Sequence, residues 1–407
     1  MTTKPLRIAM IGSRGVPATW GGIERHVEEL GARLASRGHE VTVFCRTNYT
    51  GGDPGGAGTV VLDTYRGMRL RQLPTVGTKH LDAIVHSALS TAVAAGGPFD
   101  VLHYHALGPG LLALVPRLLP GARAVLTVHG LDDERAKWGL VARGVLKTAG
   151  WLSARVPHAT IVVSRDLQRH YQERHGRAAV YVPNGVVITP PPATPTGVLA
   201  RLGVEPGRYL LFVGRLVPEK APDLLLRAFR RRRRGDGWRL VVVGDSSFTA
   251  GYVKGLREQA AADPRVVLAG FVYGEELAEL YAGAACFVLP SLLEGLPLTL
   301  LEAAAHGTPV IASAIPPHVE VLETAGPGRR LVPPGDEDAL AAALEAAYDD
   351  PARERAGAAA LRRRVLATYR WEAAAEATED VYLRVLGRRA VRDRRATAKA
   401  RAKAKVG

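Results

Sequence analysis

The 407-residue sequence predicts an α/β protein of two Rossmann-like halves facing each other across a cleft. Three observations carry this. Short apolar runs that read as buried strands alternate with segments of helical periodicity, the pattern of a parallel doubly wound sheet. A Gly/Pro-rich stretch, "VPNGVVITPPPATPTG" (182–197), interrupts the alternation, which then starts again. The chain is also too long for one ordinary core, and with 47% hydrophobic residues it can fill two.

Taken in order, "LRIAMIG" (6–12) is the first strand run, followed by the glycine-containing loop "SRGVPATWGG". Ile23, Val27, Leu30 and Leu34 then fall at helical spacing until Gly38 closes the helix. "EVTVFCR" (40–46) and "AVLTVHG" (124–130) are further strands, and "YTGGDPGGAGT" (49–59) is loop by composition. After the interruption come "YLLFVG" (209–214), "RLVVVG" (239–244), "VVLAG" (266–270), "ACFVLP" (285–290) and "PVIAS" (309–313), with helices between. A final helix, about 374–386, precedes a basic tail. The division expected is an N-terminal Rossmann-like domain over 1–183, a linker over 184–197 and a C-terminal Rossmann-like domain over 198–370. A helix over 371–387, with the option of returning to the N-terminal domain, and a tail over 388–407 complete it.

Composition narrows the classes. Two cysteines, Cys45 and Cys286, each inside an apolar run, imply no disulfide framework and suit a reducing cytoplasm. "MTTKPLRIAMIG" enters a strand at once, so no secretory signal is expected, and no run reads as a transmembrane helix. Of the net charge of +15, residues 384–407 carry +9, with ten Lys/Arg and one Asp. A basic chain can face nucleic acid, anionic lipid or phosphorylated substrates. The run "RRRRR" (230–234) and the tail lack any nucleic-acid module or aromatic platform beside them, so no nucleic-acid partner is expected.

The chemistry concentrates in "SLLEGLPLTLLEAAAHGTPVIAS" (291–313), where Glu294 and Glu302 bracket an almost wholly apolar run. A buried carboxylate is costly unless something pairs with it. Glu294 falls in the loop after a strand, and Glu302 about one turn into the next helix, with Pro297 in its first turn. Both then sit at the carboxyl edge of the sheet, where doubly wound folds bind ligands. The amides of Gly295 and Leu296 lie at the helix N-terminus, which favours an anion. A phosphate flanked by two polyols meets all these groups, and a nucleotide sugar is such a ligand. The competing interpretation is two solvated surface charges.

Two further strand ends carry matching groups. "FVGRLVPEKAPDLLL" (212–226) places Arg215 and Lys220 after a strand, suited to a diphosphate leaving group or, alternatively, to an exposed basic turn. Gly21 and Gly22, just before the first helix, allow backbone amides to approach a phosphate. In "HYH" (103–105), His103 and His105 share one strand face; they could take a metal or serve the core, and no metal is assigned.

With Gly21-Gly22, "VHG" (128–130), "NGV" (184–186), "GRLVPEK" (214–220), "GFV" (270–272) and "EGLPLTLLE" (294–302) in place, the chain resembles the retaining GT-B glycosyltransferases of family 4 (glycosyltransferase group 1). The resemblance runs to about residue 386. "IGSRGVPATWGG", "HYHALGPG" and "VHGLDDERAKWG" resemble more narrowly a bacterial subgroup that includes rhamnosyltransferases of polysaccharide assembly. One departure is Ala221, where the family often has Gly after the lysine; little consequence is expected.

The resemblance implies transfer of a sugar, with retention, from a UDP-, dTDP- or GDP-linked donor to a hydroxyl of a glycan, lipid-linked or small-molecule acceptor. Glu302 would hold the ribose and Glu294 the donor-sugar hydroxyls. Arg215 and Lys220 would bind the diphosphate, and the backbone near Phe271 and Val272 would meet the base. His129 would reach the donor sugar or reacting centre, with a core histidine as the alternative. Glu24 and His26 would touch donor or acceptor, or else lie on a solvated face. His129, Glu294, Arg215 and Lys220 form the expected catalytic set. The donor is a substrate, and no cofactor or metal is expected. The alternatives are a GT-B nucleotide-sugar epimerase and, from another class, a nucleic-acid binder. For the tail, adhesion to the anionic inner leaflet stands against a solubilising terminus.

Overall fold

In the first half, eight strands among the described residues form one sheet: β1 (Arg7–Ile11), β2 (Glu40–Arg46), β3 (Thr64–Tyr65), β4 (Met68–Leu73), β5 (Val101–His105), β6 (Arg123–Val128), β7 (Ala159–Val162) and β8 (Val180–Tyr181). Their order is β3-β4-β2-β1-β5-β6-β7-β8, parallel except for the β3–β4 hairpin. In the second half, β9 (Tyr209–Val213), β10 (Arg239–Val243), β11 (Val266–Gly270), β12 (Cys286–Leu289), β13 (Val310–Ser313) and β14 (Arg329–Val332) form an all-parallel sheet in the order β11-β10-β9-β12-β13-β14. The structure is a computed structural model that describes residues 4–18, 21–47, 62–75, 82–119, 121–130, 150–231, 237–245 and 249–387. The predicted loop 49–59, the segment after Gly130, most of the arginine run and the tail from residue 388 lie outside the described residues.

The strands read as unbroken apolar runs because helices cover both faces of a parallel sheet. Ile8, Ala9, Met10 and Ile11 are all buried, as are Leu210, Leu211 and Phe212. In each sheet the strand order reverses once, between β1 and β5 and between β9 and β12. The crevices at these two switch points are the expected ligand sites of such sheets. The sequence pattern did not include β3, β4, β7, β8 or β14, which are short or carry exposed arginines.

The last helix spans Trp371–Val385, starting three residues before the expected 374. Trp371, Ala374, Ala375, Thr378, Val381 and Tyr382 form its buried stripe. It packs on the first helix, Gly22–Ser36, and Trp371 and Tyr382 share a core with Ile8, Met10, Val27 and Leu30. Arg33 reaches Glu372 at 2.9 Å, and Tyr382 contacts His103 Nδ1 at 2.6 Å. The chain therefore crosses between the halves twice, and the crossings run side by side. The Val186 amide donates to the Tyr369 carbonyl at 2.9 Å, and a Cβ at Gly185 would lie 2.2 Å from the Trp371 nitrogen. Among the described residues no helix is long and apolar enough to cross a membrane.

Candidate active site

On the C-terminal side, the loop 290–297 follows β12 and delivers Glu294 to the switch point. The next helix is Leu298–Ala305, with Pro297 as its N-cap residue rather than within its first turn as expected. Extended backbone at Pro297 (φ −74°, ψ 114°) holds that residue just outside the helix. Leu300, Leu301, Ala303, Ala304 and Ala305 are buried, so the helix is locked in the core and Glu302 is presented one turn in.

Glu294 is partnered. Lys220 Nζ donates to its Oε1 at 2.5 Å, and the Ser291 hydroxyl donates to the same oxygen at 2.7 Å. The Glu294 side chain is only 9% exposed. Burial alone pushes its carboxyl up, but Lys220, His318 and Ser291 outweigh burial and hold it below the usual carboxylate value. Behind it, the Ser313 hydroxyl donates to the Ser291 carbonyl, and His318 Nδ1–H donates to the Ser313 carbonyl at 2.8 Å. Lys220 ends the single turn Pro218–Lys220 after β9. The Leu292 amide donates to the Glu219 carbonyl at 2.8 Å and ties the two loops together. Arg215, at the end of β9, is exposed.

Glu302 has a different environment. The Tyr281 hydroxyl donates to its Oε2 at 3.0 Å. Burial raises its pKa, opposed by Arg25 from the first helix, by the Tyr281 hydrogen bond and by His306. Val272 is buried two strands away from the switch point, after β11. Phe271 is half-buried and stacks on the exposed Tyr273, centroids 6.0 Å apart and planes within 11°.

From the N-terminal side, Gly21 (φ 75°) is the N-cap residue of the first helix, a left-handed position that favours glycine. Gly22 faces Leu298 across the cleft, 3.8 Å from where its Cβ would be. Glu24 and His26 are buried rather than solvated. Glu24 accepts the Arg14 amide at 3.2 Å. His26 Nδ1–H donates to Asn184 Oδ1 at 2.8 Å, and Asn184 Nδ2 donates to the Leu296 carbonyl at 3.4 Å. This one linker side chain thus joins the two halves.

His129 lies just beyond β6. A Cβ at position 295 would sit 1.8 Å from its carbonyl oxygen, so only glycine allows the motif loop to approach this closely. Gly295 therefore has a packing role besides the amide role the sequence suggested. His26, His103, His105 and His129 form one cluster, with ring centroids 4.3 Å apart for His103–His105 and 4.5 Å for His26–His129. Burial pushes His26 down to about 4 and His103 to about 3, and holds His105 and His129 well below the ordinary histidine value. These rings are neutral at pH 7.

The structure brings His129, Glu294, Gly295, Leu296, Lys220, Gly22 and Glu302 to one cleft. Phe271 and Val272 lie toward the edge of the second sheet. Asn184, Ser291, Tyr281, Arg25 and His318 were not singled out by sequence. Of these, Asn184 and Ser291 stood inside quoted stretches, and nothing in the spacing of the others pointed to the cleft.

Two doubly wound sheets facing each other, with cations and carboxylates on the edge of the second, are the arrangement of a GT-B sugar transferase. Family models agree: residues 20–189 match "Glycosyltransferase Family 4" and residues 207–350 match "Glycosyl transferases group 1". The chain is 33% identical to a D-inositol 3-phosphate glycosyltransferase of Kineococcus radiotolerans, over 92% of each chain. It is 29% identical to a glycogen synthase of Mycobacterium tuberculosis, covering 93% of this chain and 94% of that one. The solved sucrose-phosphate synthase of Thermosynechococcus elongatus superposes with a TM-score of 0.79 at 25% identity, covering 94% of this chain and 99% of that one. The chain belongs to the family 4 glycosyltransferases, and it moves a sugar from a nucleotide-sugar donor to an acceptor. The relatives named here are inositol-phosphate and glycogen-type enzymes, so they support the family and not the narrower rhamnosyltransferase subgroup.

Proposed function

We propose that this is a retaining transferase of polysaccharide or glycoconjugate assembly that binds its donor on the second sheet and admits its acceptor from the first. The Lys220–Glu294 pair carries the proposal: it stands at the switch point, within one loop of the Gly295–His129 contact. Glu294 takes donor-sugar hydroxyls, Glu302 the ribose, and Phe271 and Val272 the base. Arg215 and Lys220 take the diphosphate, supplying positive charge where it accumulates as the sugar–phosphate bond breaks. The amides of Gly295 and Leu296 add to it, and Gly21 and Gly22 let the first helix approach. His129 meets the donor sugar.

The bond from the anomeric carbon to the phosphate oxygen breaks with its electron pair leaving on the diphosphate. An acceptor hydroxyl then bonds to the same face of the oxocarbenium-like carbon and gives its proton to a departing phosphate oxygen. The protein's part is positioning and electrostatics. The residue division given by sequence is part of this proposal, with residues 371–387 counted with the N-terminal domain. So is a cytoplasmic location with the basic tail on an anionic leaflet, at about 1 kcal/mol per basic residue near the surface.

Thermal shift with UDP-, dTDP- and GDP-sugars, a rhamnosyl donor among them, tests the donor site. One base should raise the melting temperature, because ligand binding stabilises the folded state. No shift with any nucleotide sugar, or a product of inverted configuration, overturns the proposal. Sedimentation with anionic vesicles tests the tail, and binding should fall as salt rises.

A further inference from the structure

Three histidines from three separate elements meet beside the first switch point. His26 comes from the first helix, His105 ends β5, and His129 follows β6. One ring nitrogen from each lies within 4.8 Å of the other two. The fourth ring of the cluster is committed elsewhere: His103 Nδ1 contacts the Tyr382 hydroxyl at 2.6 Å and Nε2 contacts Thr127 Oγ1 at 2.7 Å.

Each of the other three turns a nitrogen toward the centre. His26 spends its Nδ1–H on Asn184, so its Nε2 carries the lone pair. That Nε2 is buried and has no hydrogen-bond partner among the described residues. His105 Nε2 lies 3.3 Å from Met10 Sδ, a weak acceptor, which leaves Nδ1 facing His129 Nε2 at 3.3 Å. Two imidazoles on a tetrahedral zinc ion, with Zn–N of about 2.0–2.1 Å, have nitrogens about 3.3 Å apart. Without a metal the two rings share an N–H···N hydrogen bond, and the spacing of their nitrogens is already that of two ligands on one ion, reached once the shared proton moves to the other nitrogen of its ring.

We propose that His26, His105 and His129 form a site for a divalent transition-metal cation of the zinc type, with a fourth position left for water or another ligand. To complete the tetrahedron His26 has to close by at most about 1.5 Å, within reach of a ring rotation. Asn184 orients His26 from behind, as carbonyl and carboxylate oxygens do for metal-bound histidines. Three imidazoles without a carboxylate select zinc, cobalt, nickel or copper over magnesium or calcium.

The functional consequence rests on the proposed donor role of His129. A metal on His129 Nε2 withdraws that nitrogen from the sugar, so loading inhibits transfer and a chelator restores it. The chemical step itself runs without the metal.

The test uses the full chain after chelator treatment. Co²⁺ titration should give the visible absorption of a four-coordinate site with three nitrogen ligands, saturating at one ion per chain and displaced by Zn²⁺. His105→Phe and His26→Gln should each weaken binding at least about 100-fold, whereas His103→Phe should retain it; thermal melting identifies which variants fold. No uptake of Co²⁺ or Zn²⁺ at micromolar concentration by the wild type overturns the site. So does unchanged binding by a folded His105→Phe or His26→Gln variant. The donor thermal shift of metal-free protein is read separately. If it is present without metal uptake, the metal site falls and the donor site stands; metal uptake with no donor shift removes the inhibitory consequence alone.

Discussion

Between β9 and β12 the crevice holds an ion pair, Lys220–Glu294, with a second carboxylate one turn into the next helix. Between β1 and β5, the corresponding switch point of the first sheet, the neighbouring side chains include four imidazoles driven neutral by burial. The topology fixes where a ligand can bind, and the side chains decide what it is. An ionic edge suits a diphosphate and its developing charge. A neutral polar edge suits hydroxyl groups, which need orientation more than charge.

The sharpest way to break this contrast is to disarm the ionic edge. Lys220→Ala should lower turnover on the order of 100-fold, and Glu294→Ala should do likewise while nucleotide still binds. Because the two side chains already bond each other, their losses should not add. Steady-state kinetics of both singles and the double variant check this; a double loss equal to the product of the singles would show that they act apart.

Acid should strain both halves. His86, packed in the first half, and His318, behind Glu294, are each pushed down to about 4 by burial. Below about pH 6.5 the unfolded chain binds protons that the folded chain refuses, so stability present at pH 7 is lost as pH falls toward 4. For the two together the loss between pH 6.5 and 5 is on the order of 3 kcal/mol. Melting temperature against pH reads it, and the slope should flatten in His86→Gln and in His318→Gln. A slope unchanged in both variants would remove these groups from the account.

Within the ionic edge the two glutamates should separate. Glu302→Ala should weaken nucleotide binding about 10-fold, the cost of lost hydrogen bonds to a ribose, with little effect on turnover at saturation. Titration calorimetry with the nucleoside diphosphate measures it. Normal affinity in this variant would move the ribose elsewhere.

The smallest effect concerns Ala221. Its backbone is left-handed (φ 48°), which explains glycine at the matching family position. Ala221→Gly should therefore change stability by under about 1 kcal/mol, with relief of strain opposed by added freedom in the unfolded chain. Chemical denaturation resolves the sign, and a loss of several kcal/mol would mean that the buried Ala221 methyl matters more than its backbone.

Much of the fold was legible because central parallel strands must be apolar on both faces. "VVLAG" coincides with β11, and "YLLFVG", "RLVVVG" and "PVIAS" each overrun their strands by one residue. β4 escaped because Arg69 and Arg71 alternate with Met68 and Leu70, so one face is exposed and the run reads as polar. In the site, Glu294, Glu302, Arg215 and Lys220 announced themselves by charge beside apolar strand ends. The links that assemble the cleft did not. His26 and Asn184 are 158 residues apart, and the His129–Gly295 approach crosses from one domain to the other. Such pairings arise only when two independently readable halves dock.

The last helix changes how the protein must come into being. A ribosome releases all of the second sheet, through Val332, before it has made the residues that cover Ile8, Val27 and Leu30 in the first. The half that is translated first is thus the half that is finished last. Until Trp371 and Tyr382 emerge, a nascent chain carries an open apolar stripe on its oldest domain, a target for chaperones while the younger domain folds. A premature stop after residue 370 would spare every donor-side residue named above and still leave the acceptor half without part of its core.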